Sequence, residues 1–199
     1  MARRQNHHQE KRKTGLKMEV EIKAKLKNLS VIKNKFLKLG AKLGKSKKQL
    51  DIFYKPKNEV LSTLKPGSYI LRVRKSGNDK LLTFKALTPI KGVWEEYEVG
   101  IDNTKEIQKI LEKLGLVKVF SIEKTRIPGH LGKFEFNLDK VKELGVFIEI
   151  GLVAKNGENA QNEIRKLFLE LGISEEQLER RGYGEIISAK MGIKSNGIK

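Results

Sequence analysis

The chain has 199 residues, no cysteine and a formal net charge of +18. That length supports one domain with a hydrophobic core and is short for two, and the lack of cysteine excludes disulfides and thiolate metal sites. No apolar run approaches the roughly 18 residues that a membrane helix needs, and the basic N-terminus lacks the apolar segment of a secretory signal. We therefore expect a soluble cytoplasmic protein that makes no membrane contact.

The positive charge is not confined to the ends of the chain. Residues 1–17 contribute +5 and residues 187–199 contribute +3, which leaves +10 for residues 18–186. We predict a disordered basic tail, a single folded domain and a flexible basic C-terminal tail over these three ranges. The surplus favours anionic partners, either nucleotides or nucleic acid, although lysine-rich surfaces also serve solubility alone.

Eight strand-like segments are separated by turn signals. The segments cover residues 17–25, 47–55, 68–75, 80–86, 93–101, 117–127, 132–139 and 144–153. Proline and glycine clusters predict turns between several of them. These clusters are Pro66-Gly67, Ser76 to Asp79, Pro89 to Gly92 and Pro128-Gly129.

Three amphipathic helices are predicted between or after the strands. The first covers about Val31 to Leu39, with Ser30 as its N-cap, and the second follows Asn103. In the second and third helices, apolar residues recur at i, i+3, i+4 and i+7. These are Ile107, Ile110, Leu111 and Leu114, and then Ile164, Leu167, Phe168 and Leu171. Each helix ends in Leu-Gly, and glycine just after a helix is the usual left-handed C-cap.

The order of these elements favours an α+β fold built on a closed antiparallel barrel. A glutamate-bearing strand precedes each helix at a similar distance, at Glu19, Glu96 and Glu149, which gives a weak internal repeat. Eight antiparallel strands with helices outside them favour a barrel over a sandwich. An eight-stranded barrel has an interior that side chains or one small ligand can fill.

Charged residues occur two positions apart in several strands. Side chains at i and i+2 of a strand share a face, so Glu19, Glu21 and Lys23 lie opposite Val20 and Ile22. The same spacing recurs as Arg72 with Arg74, Thr83 with Lys85, Glu96 with Glu98, and Lys124 with Arg126.

These charged faces have two interpretations. They are either the solvated faces of ordinary half-buried strands or the lining of an interior. Like charges about 7 Å apart repel, yet the pairs recur, and the apolar residues between them are suited to packing under the helices. If the helices cover the outside, the charged faces point into the lumen, where ligands and counter-charges must compensate for lost water. We favour the second interpretation.

The types of charge in this lumen indicate the ligand. Carboxylate pairs offer hard oxygen ligands to Mg²⁺ or Mn²⁺, while arginine and lysine bind phosphates. Six cations face six acids: Lys23, Arg72, Arg74, Lys85, Lys124 and Arg126 against Glu19, Glu21, Glu96, Glu98, Asp139 and Glu149. A nucleoside triphosphate of charge about −4 that arrives with two divalent ions suits such a balance.

The ordered set of motifs resembles the CYTH domains, which are the triphosphate tunnel metalloenzymes. The resemblance covers residues 18–186 and begins with Glu19-x-Glu21-x-Lys23. It continues through Gln49 to Tyr54, Arg72-x-Arg74, Thr83-x-Lys85, Glu96-x-Glu98, Lys124-x-Arg126, Leu138-Asp139, Gly145 to Ile150 and Arg181-x-Tyr183. A single Glu-x-Glu-x-Lys would be weak evidence, whereas the complete set is specific.

The resemblance implies an eight-stranded tunnel that holds two divalent ions and a triphosphate. The implied metal ligands are Glu19, Glu21, Glu96, Glu98 and Glu149. The implied phosphate contacts are Lys23, Arg72, Arg74, Lys85, Lys124 and Arg126, and the implied catalytic residues are Glu19, Glu21, Lys23, Lys85 and Asp139. One departure affects the metal ligands, because Gly151 stands where the family usually has a second glutamate after Glu149.

Several reactions and roles stay open at this stage. The length, the Gln49-x-Asp51-x-Phe53-Tyr54 segment and the Lys124-Thr125-Arg126 segment most resemble the class IV adenylyl cyclases, which convert ATP to cyclic AMP and pyrophosphate. The alternatives are an inorganic or nucleoside triphosphatase, a thiamine triphosphatase, or a nucleotide- or RNA-binding module without catalysis. Nucleic acid is not favoured, because paired glutamates would repel its phosphates. A homodimer is left open, and Tyr183 has either a substrate contact or a packing role.

Overall fold

A computed structural model of the protein describes residues 18–59, 66–87, 94–154, 157–179 and 181–190, and the structural statements below refer to these ranges. The side chains of Glu19 and Trp94 and the predicted turn from Pro89 to Gly92 lie outside the description. The predicted division into a tail, a domain and a second tail stays a prediction, because residues 1–17 and 191–199 are also outside it. No helix in the described ranges is both long enough and apolar enough to span a membrane.

The described residues form ten strands and four α-helices. The strands are β1 (Met18–Leu26), β2 (Lys42–Leu43), β3 (Lys47–Pro56), β4 (Tyr69–Ser76), β5 (Asp79–Leu87), β6 (Trp94–Gly100), β7 (Leu116–Leu131), β8 (Phe134–Val141), β9 (Gly145–Ala154) and β10 (Leu178–Glu179). The helices are α1 (Leu29–Lys38), α2 (Thr104–Lys113), α3 (Gly157–Glu170) and α4 (Tyr183–Lys190). Two single 3₁₀ turns cover Lys57–Glu59 and Glu175–Gln177. The α+β class is therefore confirmed.

All the strands belong to one antiparallel sheet. Its order is β10-β1-β9-β8-β7-β3-β4-β5-β6, with β2 paired to β7 outside this path. The 16-residue strand β7 joins the two halves, because β3 pairs along its first part and β8 along its second. Within the described ranges no hydrogen-bonded pairing joins β6 to β1 or β10, so closure into a barrel is not confirmed.

One face of the sheet is apolar and is covered by helices, as the alternation in the sequence predicts. Helix α3 packs on β1 and β9, and α1 packs on β8, over a core that includes Ala24, Phe136 and Ile148. Helix α2 covers a second apolar cluster on β3 and β4. Burial of these side chains, at about 25 cal/mol per Å² of apolar surface, supplies the main driving force for the fold.

The opposite face, which we call the charged face, carries the predicted charged pairs. Part of it is apolar, because Ile122 and Phe147 project on the same side as Asp51 and Asp139. Helix α4 packs on this part through Tyr183, Ile186 and Ile187. The sequence did not predict α4, and the charged face is therefore partly covered by it.

Two local predictions were wrong. Pro128-Gly129 is not a turn, because β7 continues through both residues to Leu131. The carbonyl of Pro128 accepts a hydrogen bond from the N–H of Gly44 at 2.8 Å, and a Cβ at Gly129 would lie 2.4 Å from the Phe136 ring. Glycine therefore serves close packing here rather than a turn. The N-cap of α1 is Asn28, whose side chain accepts from the N–H of Ser30, and not Ser30 itself.

Candidate active site

Strands β4, β5 and β6 bring five polar side chains together on the charged face. We call them the β4–β6 cluster: Arg72, Thr83, Lys85, Glu96 and Glu98. Arg72 Nη2 lies 3.1 Å from Glu98 Oε2 and 3.5 Å from Glu96 Oε1. Lys85 Nζ lies 2.9 Å from Glu96 Oε2, and the Thr83 hydroxyl donates to Glu98 at 2.7 Å. The arrangement follows from register, because Thr83 is paired with both Arg72 and Glu98.

Arg72 keeps one donor unused in this cluster. Its Nε is buried and has no hydrogen-bond partner among the described residues. Burial, and then the charge of Arg74, lower the pKa of Arg72 below its ordinary value. A buried donor without an acceptor is destabilising by about 1–3 kcal/mol. An anionic oxygen bound at this position would remove that penalty.

A buried ion pair on β3 and β4 continues the charged face. Arg74 donates to Asp51 from Nε at 2.7 Å and from Nη2 at 2.9 Å, while Gln49 Nε2 donates to the same carboxylate at 3.1 and 3.0 Å. Burial would raise the pKa of Asp51, but the hydrogen bond and charge of Arg74 hold it below the ordinary value. Neither Gln49 nor Asp51 was among the predicted site residues.

A third group, which we call the β7–β1 cluster, lies on the other half of the sheet. It consists of Lys23, Lys124, Arg126, Asp139 and Glu149. Arg126 donates to both oxygens of Asp139, at 2.8 and 2.6 Å, and to Glu149 Oε2 at 2.9 Å. Lys23 Nζ lies 3.3 Å from Glu149 Oε1, and Lys124 Nζ lies 3.4 Å from Asp139 Oδ2.

Burial and neighbouring charges shift the pKa values in this cluster. Desolvation, and then the nearby Arg126, lower the pKa of Lys124 to about 8. Burial would raise the pKa of Asp139, but the hydrogen bond from Arg126 and the charge of Lys124 hold it below the ordinary value. Burial would lower the pKa of Arg126, but hydrogen bonding to Asp139 raises it. Asp139 is therefore an ionised, fully buried carboxylate.

The three groups form one row across the sheet. Lys124 is paired with Gln49, whose side chain donates to Asp51, and Lys124 Nζ lies 3.4 Å from Asp139, so the row crosses the sheet from Glu98 on β6 to Lys23 on β1. The structure thus brings together all six predicted phosphate contacts on one face.

The predicted metal ligands are distributed over the same row. Glu96 and Glu98 lie in the β4–β6 cluster, and Glu149 lies in the β7–β1 cluster. Glu21 shares a cavity of about 530 Å³ with Lys23 and Glu149, which Gln161 and Arg165 of α3 also line. The side chain of Glu19 lies outside the description.

The glutamate carboxylates are suited to binding a hard divalent ion, although they do not lie close enough together to form a metal site in the described part of this structure. Within the described ranges no group of three or more acidic or histidine side chains is close enough to hold a metal ion. Glu21 and Glu149 occupy diagonal positions of the β1–β9 pair, opposite Gly151 and Lys23 respectively. Such neighbours are about 7–8 Å apart, a separation that one ion with bound phosphate oxygens can bridge.

One further carboxylate lies on this row and was missed from the sequence. Glu135 on β8 is opposite Gly151, and Gly151 is opposite Glu21. The side chains of Glu135 and Glu21 therefore face each other across a residue that has none. No sequence signal could have indicated this, because the pairing of β8 with β9 sets it.

The chain is similar to known proteins over most of its length. The CYTH domain family matches residues 17–183. A protein of Methanocaldococcus jannaschii, named as a candidate adenylate cyclase, is 28% identical over 174 residues, which is 85% of this chain and 98% of that protein.

Solved structures extend the comparison. The PH1012 protein of Pyrococcus horikoshii has a TM-score of 0.72 and 27% identity, over 84% of this chain and 98% of its own. A Hippeastrum protein, described as a candidate adenylyl cyclase with a dominant triphosphatase activity, has a TM-score of 0.62 at 20% identity, over 88% of this chain and 96% of its own. The second likeness concerns the fold alone. With the family matched over most of its length, the chain belongs to the CYTH domain family.

Proposed function

We propose that this protein is a metal-dependent enzyme that acts on a triphosphate, and that its reaction is the conversion of ATP to cyclic AMP and pyrophosphate. The observation that carries the proposal is the row of cations and carboxylates across the sheet, in which the buried Nε of Arg72 has no acceptor among the described residues. A surface that only bound nucleic acid would not need buried carboxylates such as Asp51 and Asp139 among its cations.

The basic side chains of the row would bind the phosphates. Arg72, Arg74 and Arg126 offer planar forks, while Lys23, Lys85 and Lys124 offer point charges. Each of these cations is held in place by a carboxylate in the free protein, so little reorganisation precedes binding.

Two Mg²⁺ or Mn²⁺ ions belong to the proposal. Glu19, Glu21, Glu96, Glu98 and Glu149 would hold them, and Glu135 would supply a carboxylate next to the gap at Gly151. When bound, the ions would neutralise phosphate charge and stabilise the leaving group. The protein itself would contribute positioning and electrostatic stabilisation.

In the cyclase reaction the ribose 3′-oxygen attacks the α-phosphorus. The bond from the α-phosphorus to the bridging oxygen breaks, pyrophosphate leaves, and the hydroxyl proton passes to solvent. Lys23 and Lys85 would stabilise the charge that develops on the phosphate oxygens. Asp139 already accepts four hydrogen bonds from three side chains and its pKa is lowered, so we assign it to orienting Arg126 and Lys124 rather than to taking the proton.

A triphosphatase is the second candidate. In that reaction water attacks the terminal phosphorus, the bond from that phosphorus to the bridging oxygen breaks, the diphosphate part leaves, and inorganic phosphate is formed. The triphosphatase activity described for the Hippeastrum protein favours it. The cavity beside Glu21, Lys23 and Glu149 favours a nucleotide instead, because it offers room for more than the phosphates. Thiamine triphosphate is a third substrate to test.

Three further expectations are part of this proposal. They are closure of the sheet into a tunnel around the substrate, assembly into a homodimer and a cytoplasmic location. Size-exclusion chromatography with light scattering measures the oligomeric state directly.

The test is an incubation of the protein with ATP, tripolyphosphate or thiamine triphosphate, each with Mg²⁺ or Mn²⁺, followed by separation of the products. Cyclic AMP with pyrophosphate supports the cyclase, and phosphate from tripolyphosphate supports the hydrolase. Both should disappear when EDTA is added. If no substrate is turned over and RNA is retained at moderate salt, the enzyme proposal is wrong.

Glu21→Gln tests the site itself. The amide cannot replace the carboxylate as a metal ligand, so we expect a loss of metal-dependent turnover of at least about 100-fold with an unchanged unfolding midpoint. Glu123→Gln is the matched control, because Glu123 is exposed and forms an exposed ion pair with Lys142. Full activity of Glu21→Gln would contradict the assignment.

A further inference from the structure

Tyr183 is the one aromatic residue of α4 and is inserted into the charged face. It is 8% exposed. Its hydroxyl donates to Asp139 Oδ2 at 3.0 Å, the oxygen that also accepts from Arg126 at 2.6 Å. Burial, and then the charges of Asp139 and Glu149, raise the pKa of Tyr183, so the hydroxyl stays a donor.

The ring of Tyr183 lies close to two lysines, which come from strands that are not neighbours. Lys23 Nζ on β1 is 4.5 Å from the ring centroid, and Lys124 Nζ on β7 is 5.0 Å from it. Strands β9 and β8 separate β1 from β7 in the sheet. An ammonium within about 6 Å of an aromatic face is attracted to it. One side chain therefore contacts ammonium groups from both β1 and β7.

Helix α4 is anchored independently of these lysines. Ile186 and Ile187 pack with Phe120, Ile122 and Phe147, and the Lys190 ammonium donates to the carbonyl of Glu143 at 2.9 Å.

Close packing explains the residue after Tyr183. A Cβ at Gly184 would lie 2.7 Å from the Phe120 ring, so glycine lets the first turn of α4 approach the sheet. The packing of α4 on the sheet thus fixes the position of Tyr183. Lys23 and Lys124 have long, flexible side chains, which stay in one conformation only when neighbouring groups contact them.

We propose that Tyr183 is a positioning residue that holds the ammonium groups of Lys23 and Lys124, and the carboxylate of Asp139, in the geometry that receives the triphosphate. This inference rests on the proposed function, because it assumes that these lysines contact phosphate. It adds one residue of α4 to the site.

The test separates positioning from packing with three variants. Tyr183→Phe keeps the ring and removes the hydrogen bond, Tyr183→Leu removes both, and Ile187→Ala loosens α4 while leaving the tyrosine in place. If Tyr183 already holds the side chains of Lys23 and Lys124 in the free protein, most of the conformational entropy that they would lose when the ligand binds is lost beforehand. We therefore expect Tyr183→Leu to raise the Kd for tripolyphosphate about tenfold, and Tyr183→Phe to raise it about threefold or less.

Calorimetric titration of full-length protein with tripolyphosphate supplies the readout, together with KM and kcat for the substrate that is turned over. Ring-current shifts of the Lys23 and Lys124 ε-protons, assigned with Lys→Arg variants, report the geometry without ligand. These shifts should persist in Tyr183→Phe and vanish in Tyr183→Leu. Ile187→Ala should lower the unfolding midpoint as much as Tyr183→Leu does, yet leave Kd within about twofold of wild type.

The outcomes distinguish the two proposals. If wild type binds tripolyphosphate and Tyr183→Leu binds it equally well, the positioning role is wrong while the proposed function stands. If Ile187→Ala and Tyr183→Leu lose affinity in parallel with stability, Tyr183 only packs and the positioning role is again wrong. If wild type binds neither tripolyphosphate nor a non-hydrolysable ATP analogue, with or without Mg²⁺, both proposals are overturned.

Discussion

At the scale of single residues, Asp139 is the acceptor on which the β7–β1 cluster depends. It is fully buried and receives hydrogen bonds from Lys124, Arg126 and Tyr183. Removing its charge would leave two buried cations without their main partner. Breaking a buried ion pair in this way is far more damaging than losing an exposed one.

We therefore predict that Asp139→Asn lowers the free energy of unfolding by about 3–5 kcal/mol at pH 7, measured by urea denaturation. Because the folded-state pKa of Asp139 lies below its ordinary 3.8, the carboxylate stabilises the fold above that value, and the contribution is lost as pH falls through the folded-state pKa. The difference between variant and wild type should shrink at such acid pH. Asp79→Asn, at an exposed pair with Lys47, should change stability by under about 1 kcal/mol. Equal losses in the two variants would contradict this account.

Lys124 gives a second prediction at this scale, on the pH dependence of binding. Its pKa of about 8 means that the ammonium loses its proton as pH rises through that value. Affinity for a non-hydrolysable triphosphate should therefore fall between pH 7 and pH 9, by up to about tenfold. The Lys124→Arg variant stays charged over this range, so its affinity should not fall in this way. Ionisation of the ligand affects both proteins equally, so the difference between their calorimetric affinities reports the titration of Lys124 alone. Parallel pH profiles would show that Lys124 is not the titrating contact.

The sequence largely predicted which charged residues belong to the site. It did not predict which side chains they bind on neighbouring strands. Charged pairs at i and i+2 indicated Arg72 with Arg74 and Lys124 with Arg126, because strand periodicity fixes which side chains share a face. Asp51 was missed although it lies two positions after Gln49, since an isolated acid next to a neutral amide forms no charged pair. Its role depends on pairing with Arg74 across β3 and β4, which the sequence does not specify.

At the scale of elements, the sequence predicted helices α1, α2 and α3 and the two faces of the long strands. It did not predict the short strands β2 and β10 or helix α4. Leu-Gly helix ends are confirmed by positive φ at Gly40, Gly115 and Gly172. The two-residue strands β2 and β10 carry too few residues for a periodicity. Helix α4 was missed because its apolar residues face a partly charged surface, so its sequence shows no clear apolar stripe.

The strand β7 supplies a prediction about glycine. Gly129→Ala should destabilise the protein by about 1–3 kcal/mol, because the new Cβ would overlap the Phe136 ring, which is stacked on Phe36 at 3.9 Å between centroids. Gly100→Ala is the matched control, since nothing lies within 4 Å of a Cβ there. Adding Phe136→Leu should make Gly129→Ala less harmful than it is alone. A double variant that loses the sum of both single effects would contradict the proposed overlap.

At the scale of the whole molecule, the site depends on how far the sheet curls. Glu96 and Glu98 lie on β6 at one end of the strand order, whereas Glu21 and Lys23 lie on β1 near the other. The sequence predicts the charged residues on β6 and those on β1. It does not predict the distance between them, because that distance depends on the curvature added by every strand in between. The described part of the chain shows one continuous charged row without hydrogen-bonded closure. A bound metal-triphosphate that contacts both ends would hold them together.

The most direct measurement is a crystal structure of the protein with Mn²⁺ and a non-hydrolysable ATP analogue, with manganese located by anomalous scattering. We predict manganese beside Glu21 and Glu149, a phosphate oxygen within 3.2 Å of Arg72 Nε, and the remaining phosphates against Lys124 and Arg126. Nucleotide bound on the apolar side of the sheet, or on the charged face without manganese at these carboxylates, would contradict the central claim that this face is a metal-triphosphate site.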